Sequence, residues 1–447
     1  MENVPTGRGP AVRISEQGLF EVDHCSRCGF CLPVCPTYRE TGLEVQSPRG
    51  RVQLIRSAAR GEVSPGAIQE HLYHCLDCRA CETVCPSGVH PGQRVVEARA
   101  ALEPGSPLPW YKRLVLRWVL PSHNRQEFLF LFLKLYVASG LQRLVRSGVG
   151  QRLLPGPLRR MEGLLPRLPA KPLRQRIKEV TPAEGERRAR VGFFLGCVMN
   201  ILYADASAAT LRVMTRNGCE VVTPRVQRCC GAPHQDMGDW EGLRDLARHN
   251  IEVFERAQVD YIVADCAACS GMNKEYAEVL AGDPAWAARA RAHAAKTRDI
   301  TELLAQLPLK KPFIPLERKV TYHEPCHLRH AQGVASQPRL VLQAIPGIQL
   351  AELRESDWCC GSAGVYNITH PERSQGLLQR KLDNIAATGA DTVVTGNPGC
   401  LLQLQQGLRG ASTRVMHITE LLDEAYGAEA APSASVAGGK GQGVHGG

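Results

Sequence analysis

The 447-residue chain has no apolar run near the roughly 20 residues that a bilayer-spanning helix needs. Its longest candidate, Phe128 to Leu133, is closed by Lys134. Met1 to Pro10 is polar and glycine-rich with no apolar h-region, so no secretory signal is expected. No Gly-x-Gly-x-x-Gly lies between a strand and a helix, which leaves neither a flavin nor an NAD site on this chain. No nucleic-acid motif is present, and the aromatics of the basic stretch gather in apolar runs instead of alternating with Lys and Arg, so DNA or RNA binding is not expected. These absences point to a cytoplasmic chain. Its 18 cysteines then read as reduced thiols held on metal, because disulfide frameworks belong mostly to small secreted scaffolds.

Eight of those cysteines form one pattern written twice: His24-Cys25-x-x-Cys28-x-x-Cys31-x-x-x-Cys35-Pro36 and His74-Cys75-x-x-Cys78-x-x-Cys81-x-x-x-Cys85-Pro86. Three cysteines three residues apart wrap one face of an iron–sulfur cubane, and the fourth ligand must come from elsewhere. In two-cluster ferredoxins with this run the fourth cysteine ligates the other cluster. That assigns Cys25, Cys28, Cys31 and Cys85 to one 4Fe–4S cluster, and Cys75, Cys78, Cys81 and Cys35 to a second. Pro36 and Pro86 fix φ and lack an N–H, and are expected to turn the chain away past each fourth ligand. Zinc is the competing reading, but zinc ribbons pair Cys-x-x-Cys units and have no tetrahedral use for a third cysteine at the same step. Between the runs, Arg51–Arg56 and Ala67–Leu72 read as helices. His24 and His74 adjoin the runs as packing around the clusters.

From Gly105 to Arg190 there are 18 Lys/Arg against 5 Asp/Glu, more than the whole net charge of +10. Prolines cut the later part of this segment into short pieces. It reads as a basic, partly helical connector; the other reading is a docking surface for an acidic partner or anionic lipid headgroups. Trp110, Trp118, Phe128, Phe132 and Tyr136 are expected to be core or interface packing.

From Val191 strands and helices alternate, the signature of an α/β unit with a mainly parallel sheet. The pattern then repeats: Cys197 is answered by Cys326, 129 residues on, Cys229 by Cys359 after 130, and Cys269 by Cys400 after 131. Val191-Gly-Phe-Phe answers Val320-Thr-Tyr-His, and Asp299-Ile-Thr-Glu-Leu-Leu answers His417-Ile-Thr-Glu-Leu-Leu. The fold expected is multidomain α+β: a polar arm (1–20), a helical two-cluster ferredoxin domain (21–103), the basic connector (104–190), two tandem α/β cysteine-rich domains (191–310 and 311–427) and a disordered tail (428–447).

Each repeat sets its cysteines after strands, so the thiols should converge at the carboxyl ends of the sheet. The first copy carries Cys197, Cys229, Cys230, Cys266 and Cys269; the second carries Cys326, Cys359, Cys360 and Cys400, with Asn397 where the first has Cys266. Adjacent cysteines do not easily face one tetrahedral ion; they serve different irons of an open cluster or form a redox pair. An additional cluster or redox site is expected in the first copy, and the second is a weaker candidate. His234, His323, His327 and His330 read as structural, and Cys219 as a small core residue.

The cysteine-cysteine-glycine pattern resembles the cysteine-rich domain of heterodisulfide reductase subunits and of 2-hydroxy-acid dehydrogenase electron-transfer subunits. Tyr322-His-Glu-Pro-Cys326-His-Leu-Arg-His-Ala331, Asp357-Trp-Cys-Cys-Gly-Ser-Ala-Gly-Val-Tyr-Asn367 and Gly396-Asn-Pro-Gly-Cys400 look like the iron–sulfur subunit of glycolate oxidase. With the ferredoxin runs, the resemblance covers nearly the whole chain. Cys266 departs from many such subunits, which have no cysteine there. The resemblance implies a complex in which flavoprotein glycolate oxidase subunits oxidise glycolate, or D-lactate, and this chain, inactive alone, relays the electrons to a quinone or another acceptor, with peripheral contact to the cytoplasmic side of the inner membrane. Competing resemblances are a heterodisulfide or thiol–disulfide reductase subunit and the iron–sulfur subunit of anaerobic glycerol-3-phosphate dehydrogenase; a zinc-stabilised scaffold is the non-redox alternative.

Overall fold

In the N-terminal unit, four helices begin on proline at the first turn: Pro36–Thr41, Pro48–Ala59, Pro65–Tyr73 and Pro91–Leu102. A proline there forfeits no intrahelical hydrogen bond and presets φ. Pro36 therefore starts a helix directly after Cys35, where a turn away was expected. The computed structural model describes residues 12–103, 108–147, 150, 152 and 154–427. The expected arm up to residue 11 and the tail from 428 fall outside the described residues.

Val22, Val52, Ile55, Ile68, Leu72, Val95, Ala98 and Leu102 form the core of the helical unit. Val12 joins it, 4 % exposed, its N–H bonded to the Ala58 carbonyl at 3.3 Å. The Glu16–His24 helix is capped by the Ser15 hydroxyl. Residues 12–20 thus belong to the helical unit, not to an arm: too few apolar residues stand there to give a periodic signal.

The connector is helical at Trp110–Leu114, His123–Ala138, Leu141–Arg146 and Gly156–Leu164. Here the core half of one expectation fails, and the interface half stays open. Trp110, Trp118, Phe128 and Phe132 are exposed, Tyr136 is half-buried, and Phe130 is the phenylalanine of the His123–Ala138 helix that packs inward. No helix among the described residues is long and apolar enough to cross a membrane.

The two repeats build two sheets of one topology. The first contains β1 (Val180–Thr181), β2 (Ala189–Phe193), β3 (Cys219–Val222), β4 (Tyr261–Ala264) and β5 (Thr297–Asp299) in the order β1-β3-β2-β4-β5. The second contains β6 (Arg318–Tyr322), β7 (Ile348–Leu350), β8 (Thr392–Thr395) and β9 (Arg414–His417) in the order β7-β6-β8-β9. All pairs are parallel except β1 with β3, so the first sheet is the second plus an antiparallel edge strand. The matching closing helices, Ile300–Gln306 and Ile418–Ala425, both start with a capping box, from Asp299 with Glu302 and from His417 with Glu420.

The repeats share one core. Val213, Met214, Ile300 and Leu303 from the first copy pack with Val320, Val341, Ile418 and Leu421 from the second. Across the seam the Thr210 and Thr419 hydroxyls meet at 2.8 Å, and the His417 Nε2–H donates to the Asp265 carbonyl at 2.9 Å. Each copy buries its apolar face against the other, which turns the carboxyl ends of both sheets toward the N-terminal unit.

Candidate metal centres

The two cysteine runs interleave around two cavities. Both are partly open to solvent: one, with about 370 Å³ of atom-free space, is lined by Cys25, Cys28, Cys31 and Cys85. The other, about 380 Å³, is lined by Cys35, Cys75, Cys78 and Cys81. Cys81 also borders the first cavity, so the two lie side by side. Their thiols differ in exposure: Cys28 of the outer cavity is exposed, whereas Cys35 of the inner one is buried.

The backbone winds the same way in both loops. Arg27 and Gly29 in the first run, and Asp77 and Arg79 in the second, all have positive φ, from 50° to 91°. A non-glycine residue there costs on the order of 1–2 kcal/mol, which the loop recovers only through what it surrounds. Arg79 is held in place by its side chain, which donates from Nε to Asp77 Oδ1 at 2.6 Å, both residues about 2–3 % exposed. Burial opposes ionisation of Asp77, but the Arg79 charge and the His327 hydrogen bond outweigh it and hold that carboxyl below its usual range.

Sequence reasoning missed the cations at and beside these cavities. Arg49 lines the outer one and donates to the Arg27 carbonyl at 2.9 Å. Arg51, 1 % exposed, lines the inner one and donates to Thr37 Oγ1, Gln46 Oε1 and the His71 carbonyl. Arg99 donates to the Leu72 and Cys75 carbonyls at 2.8 and 2.6 Å. Their only signal was an Arg-x-Arg pair at a helix start, which is ordinary on a surface. The two flanking histidines bond elsewhere: His24 Nδ1 to the Phe20 carbonyl, and His74 Nδ1 with the Gln46 amide, while burial pushes His74 down to about 4.

These residues fit iron–sulfur clusters. Burial pushes the Cys78 and Cys81 thiols well above their ordinary range, so at neutral pH they become thiolates only when a metal replaces the proton. Guanidinium groups around each cavity offset the negative charge that thiolates bring.

In the repeats the thiols stand at the carboxyl ends of the strands. Cys197 follows β2, Cys229 and Cys230 follow β3, and Cys266 and Cys269 follow β4; all but Cys197 are buried. The Cys197 and Cys229 sulfurs are 4.0 Å apart. Cys230 is lowered because the Cys229 and Cys269 thiols both donate to it. In the second copy Cys326 follows β6, Cys359 and Cys360 follow β7, and Cys400 follows β8. The glycine after each cysteine pair is fixed by geometry. Gly231 has φ 94° and Gly361 φ 86°, and a Cβ would stand 2.4 Å from Leu243 Cδ1 or 2.7 Å from the Ser374 carbonyl oxygen.

The second copy touches both neighbours. Cys326 and Cys359 share a packing cluster with Cys78 of the inner cavity, together with Leu76, Trp358 and Tyr366. His327 Nε2–H donates to the Asp77 carbonyl at 2.8 Å. On the other side, Asn397 accepts from the Cys266 thiol at 3.7 Å and donates to Cys400 Sγ at 3.5 Å. Outer cavity, inner cavity, second repeat and first repeat are therefore consecutive neighbours. Cys219 lies in the core on β3, and His330 bonds the Asp357 carbonyl at 3.4 Å.

Comparison with known proteins follows the same divisions. Residues 21–89 match a family described as 4Fe-4S dicluster domain, 191–273 and 320–405 each match the Cysteine-rich domain, and 107–165 match the family described as Glycolate oxidase iron-sulfur subunit, linker region. The chain is 38 % identical over 419 residues to the probable glycolate oxidase iron-sulfur subunit of Bacillus subtilis, covering 91 % of this chain and 94 % of that one. It is 32 % identical over 408 residues to the glycolate oxidase iron-sulfur subunit of Escherichia coli, covering 90 % and 93 %. Among solved structures, a hypothetical protein from Helicobacter pylori superposes with TM-score 0.53 at 8 % identity, over 93 % of this chain and 74 % of that one, a likeness of fold alone.

Proposed function

Because the chain belongs to the family of glycolate oxidase iron–sulfur subunits, we propose that it is the electron-relay subunit of a complex whose flavoprotein partner oxidises glycolate, or D-lactate, to the 2-oxo acid. Cys25, Cys28, Cys31 and Cys85 hold the outer cluster, and Cys35, Cys75, Cys78 and Cys81 the inner one. A 4Fe–4S cluster, when bound, stores and passes one electron at a time. The protein's own residues set the conditions: Arg49, Arg51 and Arg79 offset thiolate charge, the left-handed loops wrap each cavity, and Leu76, Trp358 and Tyr366 keep water from the inner one.

The observation that carries this reading is the graded exposure of the thiols along the two adjoining cavities. Cys28 and Phe30, the latter 64 % exposed, face solvent where a partner can dock, and Cys78 abuts the second repeat. Cys197, Cys229, Cys230, Cys266 and Cys269 serve as a further cluster or redox site near the end of the row. The electrons leave to a quinone or another non-nicotinamide acceptor. The exposed aromatics of the basic connector meet the membrane face, with Lys and Arg toward anionic headgroups. The test is anaerobic purification of the chain alone and with its flavoprotein partner, with iron and acid-labile sulfide assayed. Glycolate-driven dye reduction is expected only in the complex; turnover of a disulfide by the chain alone would replace this reading with the reductase.

A further inference from the structure

His323 follows β6 and is 1 % exposed, yet neither ring nitrogen makes a hydrogen bond. Leaving a buried polar group unmatched costs roughly 1–3 kcal/mol, so such a group calls for an explanation. A ring nitrogen of His323 and the sulfurs of Cys360 and Cys400 all lie within 4.8 Å of one another, with all three residues buried. Among the described residues it is the single group of three or more metal-competent side chains so closely gathered. Neither ferredoxin cavity is lined by any of the three.

The repeats explain why a histidine stands there. At the matching position after β2 the first copy has Phe194, fully buried and stacked on Phe254. Where the first copy has Cys266, the second has Asn397. The second copy has thus exchanged one thiol for an amide and one phenyl ring for an imidazole, and it keeps five donor-bearing side chains: His323, Cys326, Cys359, Cys360 and Cys400. Asn397 donates to Cys400 Sγ at 3.5 Å, the kind of support that steadies a ligating thiolate. The Ser356 backbone, held by Lys381 Nζ at 3.2 Å, lies beside the imidazole, where the outward N–H of a metal-bound ring is normally anchored.

We propose that His323, Cys360 and Cys400 bind a borderline-soft divalent ion, making the second repeat a metal site in its own right. A tetrahedral ion with metal–sulfur bonds of about 2.3 Å and metal–nitrogen bonds of about 2.0 Å sets its donors roughly 3.5–3.8 Å apart, so the three atoms close by about 1 Å through side-chain rotation. Binding releases the two thiol protons to solvent. Two thiolates and a neutral imidazole then balance the dication, so no net charge is buried. The same donors suit zinc as a single ion. The site is independent of the hydroxy acid the complex oxidises.

The experiment compares anaerobically purified full-length chain with His323→Phe, the side chain the first repeat accepts at this place, and with His323→Gln, which preserves polarity without imidazole. Zinc, iron and acid-labile sulfide are counted per chain, and folding is checked by circular dichroism. Loss of about one zinc per chain in a folded variant, with iron and sulfide unchanged, is expected; loss of iron together with sulfide would assign the histidine to a cluster and overturn the single-ion site. Unchanged metal and sulfide in both variants, folded, would overturn the proposal.

Discussion

Gly361→Ala tests whether the glycine after the cysteine pair is dictated by space as well as by φ. Alanine at φ 86° meets the left-handed penalty of about 1–2 kcal/mol. Its Cβ would also stand 2.7 Å from the Ser374 carbonyl oxygen and 3.2 Å from Leu377 Cβ. Ser374 cannot yield easily, because its hydroxyl donates back to the Gly361 carbonyl at 2.8 Å and it sits in the Pro371–Thr388 helix. Relieving that overlap adds about 1–3 kcal/mol. Gly410 is the internal control, with φ 87° and nothing within 4 Å of the added carbon. Gly410→Ala should therefore cost only the backbone penalty. The difference between the two variants corresponds to roughly 2–12 °C in the melting temperature of the fused repeats, by differential scanning calorimetry. A Gly361→Ala melt no lower than that of Gly410→Ala would refute the steric argument.

Arg79→Met should destabilise the inner loop by about 3–5 kcal/mol, because Asp77 is left charged and buried. Pairing it with Asp77→Asn should return part of the loss, and equal melts for single and double variants would contradict this. Burial disfavours the charged form of Asp299 and raises its carboxyl to about 6. An acid raised in the folded state stabilises below its unfolded pKa and loses that contribution as pH climbs to the folded value, here between about pH 4 and 6. Asp299→Asn, which keeps the helix cap, should flatten the stability profile across that window, and denaturation at pH 4.5 and 6.5 reads it out. Phe128→Ser with Phe132→Ser, both exposed, should leave the melt unchanged and weaken flotation with anionic vesicles; unaltered flotation would remove the connector from the membrane.

The duplicated architecture was legible because the same strand-and-cysteine text occurs twice, and two packed copies of one α/β unit produce matching sheets. The exchange of the fourth cysteine between the runs is a proposal that rests on the spacing, which leaves each run one donor short; Cys85 lines the cavity of the first run and Cys35 that of the second, while Cys81 borders both. The cations were not legible. Arg51 and Arg99 act on carbonyls brought near by folding, and nothing local distinguishes them from surface arginines. The connector's aromatics misled for a related reason. Apolar periodicity says that a face wants cover, not that this chain supplies it. His323 read as structural because one histidine carries no spacing signal; only the thiols gathered beside it give it a role.

The most direct test of the relay is Cys28→Ser in the complex with the flavoprotein, under anaerobic glycolate, following flavin absorbance and dye reduction together. Cys28 is the exposed thiol of the outer cavity. The account predicts that the flavin is still bleached by glycolate while dye reduction falls to background. Dye reduction at the unaltered rate, with the outer cluster's iron lost, would contradict it.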